Sequence, residues 1–432
     1  MHALLKHLQQ CLPPNAKHLG VAFSGGMDSR VLLELTHQLG QIRPELQIRA
    51  LHAHHNLSPQ ADHWASFCTD VCQSLNLPLT LSRLQIRDES GASLENRARK
   101  ARYRFFEQVL LPGEILLQAH HQNDQVETLL LRLLRGAGTQ GLSGMPQQRA
   151  LGAGRLLRPL LDIPRRELQA FALSLQLQWI EDESNQQTHF DRNFLRLQIL
   201  PQLQARFPAT SNNLLRVTQL AQQSEQLQQE LAELDLQTCK ADAHSLDLTG
   251  LMSFSRHRRI NLLRHWLQQH SLPLPGHQYW DELERLCCAR NDASPLLGWG
   301  EGDCRTEARR FRQRLFIALA SHFQPLPTDW QVDWDGQTPL WLPDGRCLSL
   351  QLRPETSSLL PDTSHPIKLT VRSRQGGESI KLAQRGQRDV KRLLQELNLP
   401  PWQRQQLPFI WHQDQLVAVS DLLVATGWQR QL

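Results

Sequence analysis

Hydrophobic and polar positions in the first third of the chain alternate between two patterns. Short apolar runs at His18–Phe23, Leu46–Ala53, Leu79–Ile86 and Glu114–Ala119 read as strands, and the stretches Ser29–Leu39, Pro59–Leu75, Ser93–Leu110 and Asp124–Arg135 read as helices. Four β-α repeats with right-handed crossovers predict an α/β fold built on a doubly wound parallel sheet. Ligands of such sheets gather beyond the carboxyl ends of the strands. Those ends carry three polar clusters: Ser24–Ser29, His52–Asn56 and His120–Asp124.

Beyond this region the pattern loosens. Gly136–Gly154 reads as a glycine-rich loop, and Pro164 is placed to open a helix running to Leu175. Asn213–Thr238 is Gln/Leu-rich and proline-free, a helical connector that could alternatively be a coiled-coil seam of a homodimer. Leu246–Phe323 reads as mostly helical and contains the basic run Arg305–Arg314. Pro325–Pro366 is rich in Pro, Trp and Asp, and Ile367–Leu432 mixes short strands with a helix over Asp389–Leu397. The expected division is a catalytic domain (1–208), a helical linker (209–240), a mostly helical domain (241–324) and a mixed α/β domain (325–432), with no internal repeat.

Composition narrows the class. With 432 residues, 40% hydrophobic and 21% charged, and a mean hydropathy of −0.44, the chain is globular rather than disordered. It has no apolar run long enough for a membrane helix, and its start lacks the pattern of a signal peptide, so a cytoplasmic protein with no membrane partner is expected. Eight cysteines with no CxxC predict reduced thiols rather than disulfides or structural zinc. The net charge is +5, and only Lys6, Lys17, Lys100, Lys240, Lys368, Lys381 and Lys391 are lysines. An arginine bias suits a nucleic-acid partner, although a GC-rich genome produces the same bias.

The chemistry starts at Ser24, Gly25, Gly26, Met27, Asp28 and Ser29, where a buried strand turns into a helix. Two glycines permit a tight turn and close backbone approach, and a helix N-terminus favours an anion. Phosphate would be held by Ser24, Ser29 and the loop amides, with Asp28 placed to hold Mg2+. No GxxxxGK[ST] occurs, so this is not a Walker A loop. A plain strand-turn-helix capped by Ser24 is the bland alternative.

The six residues resemble the pyrophosphate loop (PP-loop) of the ATP pyrophosphatases, and three further segments narrow the resemblance. They are Ala92–Phe106, Leu117–Met145 with its AHHxxDQxET and RGAGxxGL patterns, and Arg158–Arg196 with GluAspGluSerAsn and ArgAsnPheLeuArg. Together they resemble the tRNA(Ile)-lysidine synthetases over residues 17 to about 203. His54, Ser58, Ser93 and Asn123 depart from residues common in that family.

The resemblance implies a Rossmann-like PP-loop domain that uses ATP and Mg2+ to adenylate the wobble cytidine of an isoleucine tRNA with a CAU anticodon. Free lysine then displaces AMP through its side-chain amine. At pH 7 only about one lysine amine in 2,500 is neutral, so a base is needed. Asp124 and Glu127 are the candidates, and His120 and His121 are placed to touch phosphate or base. A zinc site from His52, His54, His55, His120 and His121, or from Cys68 and Cys72, is the rival reading. Glu95, Arg99 and Arg102 share a helix side facing ATP or the anticodon loop, or form a solvated face. Asp182, Ser184, Asn185, Arg192, Asn193 and Arg196 form a second cluster, with Arg192 and Arg196 either gripping phosphate or pairing with nearby acids. Arg305, Arg309, Arg310, Lys391 and Arg392 are candidates for the tRNA backbone, with ordinary exposed charge as the alternative. Trp402 and Arg404 resemble a family feature that meets the acceptor stem. A tRNA thiolase with the same loop is the nearest other enzyme, and a silent RNA-binding protein is the reading from another class.

Overall fold

Leu19, Gly20 and Val21 are buried, as expected of a central strand in a parallel sheet covered on both faces. This strand, β1 (His18–Ala22), follows helix α1 (Ala3–Cys11). Then come α2 (Met27–Ile42), β2 (Gln47–His54), α3 (Ala61–Ser74), β3 (Leu79–Arg83), α4 (Leu94–Val109), β4 (Ile115–Leu117) and α5 (Gln122–Leu134). The four repeats read from the sequence are present. The computed structural model describes residues 2–54, 59–85, 94–239, 242, 244–290, 293–355 and 367–431. They form two units, Met1–Leu227 and Gln228–Leu432.

The glycine-rich stretch is more ordered than expected. It holds α6 (Thr139–Leu142) and an edge strand, β5 (Gln148–Leu151), which pairs antiparallel with β6 (Gly154–Leu157). Gln148, Arg149 and Ala150 are exposed, so β5 carries no apolar signature. The sheet order is β3-β2-β1-β4-β6-β5, parallel except for β5. The chain reverses direction of winding between β1 and β4, and the crevice at their carboxyl ends is the expected ligand site. Apolar side chains cover both faces. Leu32, Leu35, Cys68 and Leu168 belong to one core, and Phe105, Phe106, Leu116 and Leu156 to the other.

Past the sheet run α7 (Arg165–Ser174) and α8 (Asp191–Phe194). The latter passes through a π-helical turn at Leu195–Ile199 into α9 (Leu200–Arg206). The connector is α10 (Thr210–Thr238), 29 residues long, and the boundary between the units falls within it.

The second unit corrects one expectation. Helices α11 (Leu248–Met252), α12 (Arg256–Gln269) and α13 (Tyr279–Cys288) are joined by four strands, β7 (Ser245–Asp247), β8 (Leu296–Trp299), β9 (Thr306–Phe311) and β10 (Arg314–Leu319). These form an antiparallel sheet of order β7-β10-β9-β8. Residues 241–324 are therefore not mostly helical, and the basic run is a hairpin. Thr306, Glu307, Ala308 and Arg310 are all buried, so this strand takes charged residues inward and shows little apolar pattern.

The remainder holds β11 (Gln331–Trp334), β12 (Leu340–Trp341), β13 (Cys347–Leu348), β14 (Gln351–Pro354), β15 (Leu369–Arg372), β16 (Ser379–Leu382), β17 (Gly386–Asp389), α14 (Val390–Glu396), α15 (Pro401–Gln405), β18 (Phe409–His412), β19 (Gln415–Val419), β20 (Leu423–Val424) and β21 (Trp428–Gln431). Its main sheet runs β11-β15-β18-β19-β20.

Candidate active site

The loop after β1 is shaped by what it cannot hold. Gly25 has φ +88°, and a Cβ there would lie 2.8 Å from Ile180 Cδ1 and 3.2 Å from Cys68 Sγ. Its carbonyl accepts from the Ile180 backbone N–H at 2.9 Å, so the segment before Asp182 latches the loop. Ser29 braces it from inside: its hydroxyl donates to Gly26 O at 2.9 Å and accepts from Ser24 N–H at 3.2 Å, with Ser24 Oγ 3.1 Å away. Gly26 is the N-cap of α2 and no side chain caps it. Ser24 is therefore not the helix cap, and the first-turn amides are left for an anion.

Asp28, in that first turn, faces the neighbouring strand end. Its Oδ2 lies 3.6 Å from His121 Nε2 and its Oδ1 3.6 Å from Arg165 Nε. Oδ1 is buried without a hydrogen-bond partner. An orphaned carboxylate oxygen beside a phosphate-binding loop fits a hard cation such as Mg2+.

Across the crevice, His121 caps α5 in a capping box with Asp124. Asp124 Oδ2 accepts from His121 N–H at 2.9 Å, and Asp124 N–H donates to His121 Nδ1 at 3.4 Å. Burial opposes charging this imidazole, but Asp28, Asp124 and Glu127 outweigh it and lift the pKa above its ordinary value. Arg192 Nη2 donates to Asp124 Oδ1 at 2.7 Å. Glu127 accepts from Arg192 Nε at 2.6 Å and from Arg196 Nε at 2.7 Å. Arg196 lies in the π-helical turn that follows Arg192, where both reach one carboxylate, a placement typical of such turns at functional sites. Glu127 is 1% exposed. Burial pushes its pKa up, but Arg196 and Arg192 hold it below the usual carboxylate range. Both arginines pair with acids, and of the two carboxylates Asp124 is the less enclosed.

The rest of the second cluster folds the latch. Asp182 Oδ1 accepts from Ser184 N–H at 2.8 Å, and Asn193 Nδ2 donates to the carbonyls of Ser184 and Gln187 at 2.8 and 3.0 Å. Asn185 lies in the same turn, its N–H bonded to Asp182 O. Asn123 Oδ1 accepts from Arg165 N–H at 3.1 Å, at the start of α7.

The histidines of the rival zinc reading are engaged separately. His52 Nδ1 lies 2.8 Å from Phe23 O, His54 lies 3.2 Å from Asp62, and His120 Nδ1 accepts from Arg158 Nε at 3.3 Å. Burial is the main cause that brings the His120 pKa to about 3. Asp124 opposes that shift, and Arg158, Arg192 and Arg99 reinforce it. Burial also raises the thiols of Cys68 to about 12 and Cys72 to about 11, which makes them core groups rather than nucleophiles. Among the described residues no group of three His, Cys, Asp or Glu is placed to hold a metal. His55, Ser58, Ser93 and the Glu95 side chain lie outside the described residues. Arg102 is half-buried on α4, and Arg99 stacks over Tyr103. The sequence reading missed Tyr103, Arg149, Arg158, Arg165 and Ile180. Tyr103, Arg158, Arg165 and Ile180 lie in the segments that carry the resemblance but were not singled out, and Arg149 lies outside all of them.

In the second unit several candidates turn inward. Arg310 is 8% exposed and donates to Cys287 O at 2.5 Å and Arg312 O at 3.0 Å. Arg309 pairs with Glu307 at 2.7 Å and lies over the rings of Phe323 and Trp402. Trp402 is buried among Phe311, Phe316 and Phe323, so its ring packs the core rather than offering a stacking face. Arg404 Nε donates to Leu399 O at 2.7 Å. Arg305, Lys391 and Arg392 are exposed.

Comparison with known proteins agrees with this geometry. A PP-loop domain model matches residues 2–203, a TilS substrate binding domain 246–316 and a TilS substrate C-terminal domain 369–432. The tRNA(Ile)-lysidine synthase of Xanthomonas axonopodis pv. citri is 42% identical over 94% of this chain and 89% of its own length. The synthase of Serratia proteamaculans is 40% identical over 96% and 93%, and that of Pseudomonas aeruginosa 39% identical over 97% and 93%. Near-full-length identity at this level, on a chain whose loop, latch and carboxylates meet in one crevice, makes it a member of the tRNA(Ile)-lysidine synthase family.

Proposed function

We propose that this chain uses ATP to convert the wobble cytidine of an isoleucine tRNA with a CAU anticodon into lysidine, changing codon reading from AUG to AUA. One observation carries the reading: the uncapped N-terminus of α2, with Asp28 in its first turn, faces the His121–Asp124 cap of α5 across the β1/β4 crevice.

The cytosine C2 carbonyl is amide-like and its oxygen leaves poorly. Attack by that oxygen on the α-phosphate of ATP expels pyrophosphate and turns the oxygen into part of a good leaving group. The α2 amides stabilise the developing phosphate charge. Asp28 would hold Mg2+, which when bound neutralises phosphate oxygens. The lysine side-chain amine then attacks C2 and AMP departs. Asp124, less enclosed than Glu127, accepts the proton the amine loses. Glu127, clamped ionised by Arg192 and Arg196, fixes the position of Arg192 against Asp124. ATP, free lysine and the tRNA are the substrates. No described helix is long and apolar enough to cross a membrane.

The test incubates the protein with ATP, magnesium and labelled lysine, with either the isoleucine CAU tRNA or a methionine tRNA bearing the same anticodon. Label entering the first tRNA alone, with pyrophosphate released, is expected. Pyrophosphate release with some other acceptor and no lysine incorporation would transfer the chain to the thiolase reading. No release at all would leave an RNA-binding protein.

A further inference from the structure

A second group of arginines in the first unit has no part in the chemistry above. Arg158, just beyond β6, is 2% exposed, yet its donors meet only neutral acceptors. Nε reaches His120 Nδ1 at 3.3 Å, Nη1 reaches Pro146 O at 2.7 Å, and Nη2 reaches the Tyr103 phenol oxygen at 3.5 Å. Tyr103, on α4, donates its proton to Gln118 Oε1 at 3.2 Å. The guanidiniums of Arg99 and Arg149 lie 5.2 and 4.8 Å from the centroid of the same ring. Among the described residues no carboxylate pairs with Arg99, Arg149 or Arg158.

Three cations gathered on one phenol without an acid repel one another, and burying one of them costs more still. The neighbours register the excess. Burial would raise the Tyr103 phenol, but Arg99, Arg158 and Arg102 hold it below its ordinary value, and Arg158 itself is lowered, chiefly by burial. The excess sits beside the reaction crevice, because His120 directly precedes the α5 cap that faces Asp28. A guanidinium has five N–H donors. Three of those on Arg158 are used, which leaves two. His120 accepts at Nδ1, so its neutral ring carries a hydrogen on Nε2 as a further donor.

We propose that Arg99, Arg149 and Arg158 form an oxyanion pocket around Tyr103 and His120 that binds an oxyanion of one acceptor substrate. The inference rests on the proposed function. ATP phosphates have the loop after β1, which leaves two sources of the same chemistry: the α-carboxylate of free lysine and a phosphodiester flanking the target cytidine. Either suits paired guanidinium donors.

Arg149 is exposed on an edge strand, so Arg149→Glu probes the pocket without disturbing the core; Arg99→Glu serves as a second variant. Lysine incorporation is followed while lysine and tRNA are varied separately. The KM of one substrate should rise about tenfold or more, with kcat within about threefold, and Arg149→Lys should recover most of the loss. A rise confined to lysine identifies the carboxylate. A rise confined to tRNA, with a shallower salt dependence, identifies the phosphodiester. Both KM values unchanged, or both rising alike, would overturn the pocket. A wild-type protein that incorporates no lysine would sink the functional reading instead. The pocket is then judged by sulfate titration of the His120 ring signal, expected in the wild type and absent from Arg149→Glu; no response in the wild type would overturn it.

Discussion

Both units concentrate arginine, but they use it in opposite ways. In the hairpin of β9 and β10 nearly every guanidinium is answered: Arg309 by Glu307, Arg310 by two backbone carbonyls and Arg314 by Asp242. In the first unit, Arg192 and Arg196 meet carboxylates, whereas Arg99, Arg149 and Arg158 gather round one tyrosine with no acid among the described residues. The hairpin looks more basic in the sequence, yet the first unit holds the uncompensated charge. A run of arginines along a strand sends alternate side chains to opposite faces, where neighbours on the same strand and on the elements packed against it absorb them. Arginines from different elements that converge beyond strand ends have no such partners built in, and their counter-charge is left to a ligand.

The sharpest way to break this contrast is at Asp28. Its buried oxygen lacks a hydrogen bond and its nearest cations are 3.6 Å away, so it does little for the fold. Asp28→Ala is expected to lower pyrophosphate release by at least about a thousandfold, while tRNA affinity and thermal stability stay near wild type. Normal adenylation by this variant would remove Asp28 from cation binding.

The hairpin should behave in reverse. Arg310→Ala leaves the buried Cys287 carbonyl and the part-buried Arg312 carbonyl without this donor and is expected to cost about 1–3 kcal/mol of stability. The slope of log tRNA affinity against log salt should stay unchanged. Arg305→Ala, at an exposed position beside Glu307 at 3.9 Å, tests whether the hairpin touches phosphate at all. One lost phosphate contact flattens the slope by about 0.7–0.9. A flattened slope in Arg310→Ala, with stability intact, would collapse the distinction between the two regions.

What the sequence made legible follows the same physical line. The β-α repeats stand out because buried parallel strands and amphipathic helices have different periods, and the loop stands out because Gly25 needs both a positive φ and room against Ile180. Arg192 and Arg196 were readable as a pair from their spacing, although not that Glu127 would bind both. β5 was hidden because an exposed edge strand has no apolar face to show. The convergence of Arg99, Arg149 and Arg158 was hidden for a different reason: it joins a helix, an edge strand and the end of β6, and no local pattern records contacts over some fifty residues. The run Arg305–Arg314 misled because the strand it forms buries charged residues, Glu307 and Arg310, beside Thr306 and Ala308.

The smallest expected effect reads the surroundings of His120. His120 has its pKa lowered to about 3, by burial first and then by Arg158, Arg192 and Arg99 against the opposing pull of Asp124. For a base depressed in the folded state, stability is complete above the unfolded value near 6.5 and is lost progressively as pH falls toward the folded one. Wild type should therefore lose about 1 kcal/mol at pH 6 relative to alkaline pH through this group, and His120→Gln should not. Thermal denaturation of both proteins between pH 8 and pH 5 measures the difference. Parallel curves would mean that the ring is not held neutral in the folded protein. A gap that opens on acidification and closes when an oxyanion is bound would show that the missing counter-charge comes from the substrate.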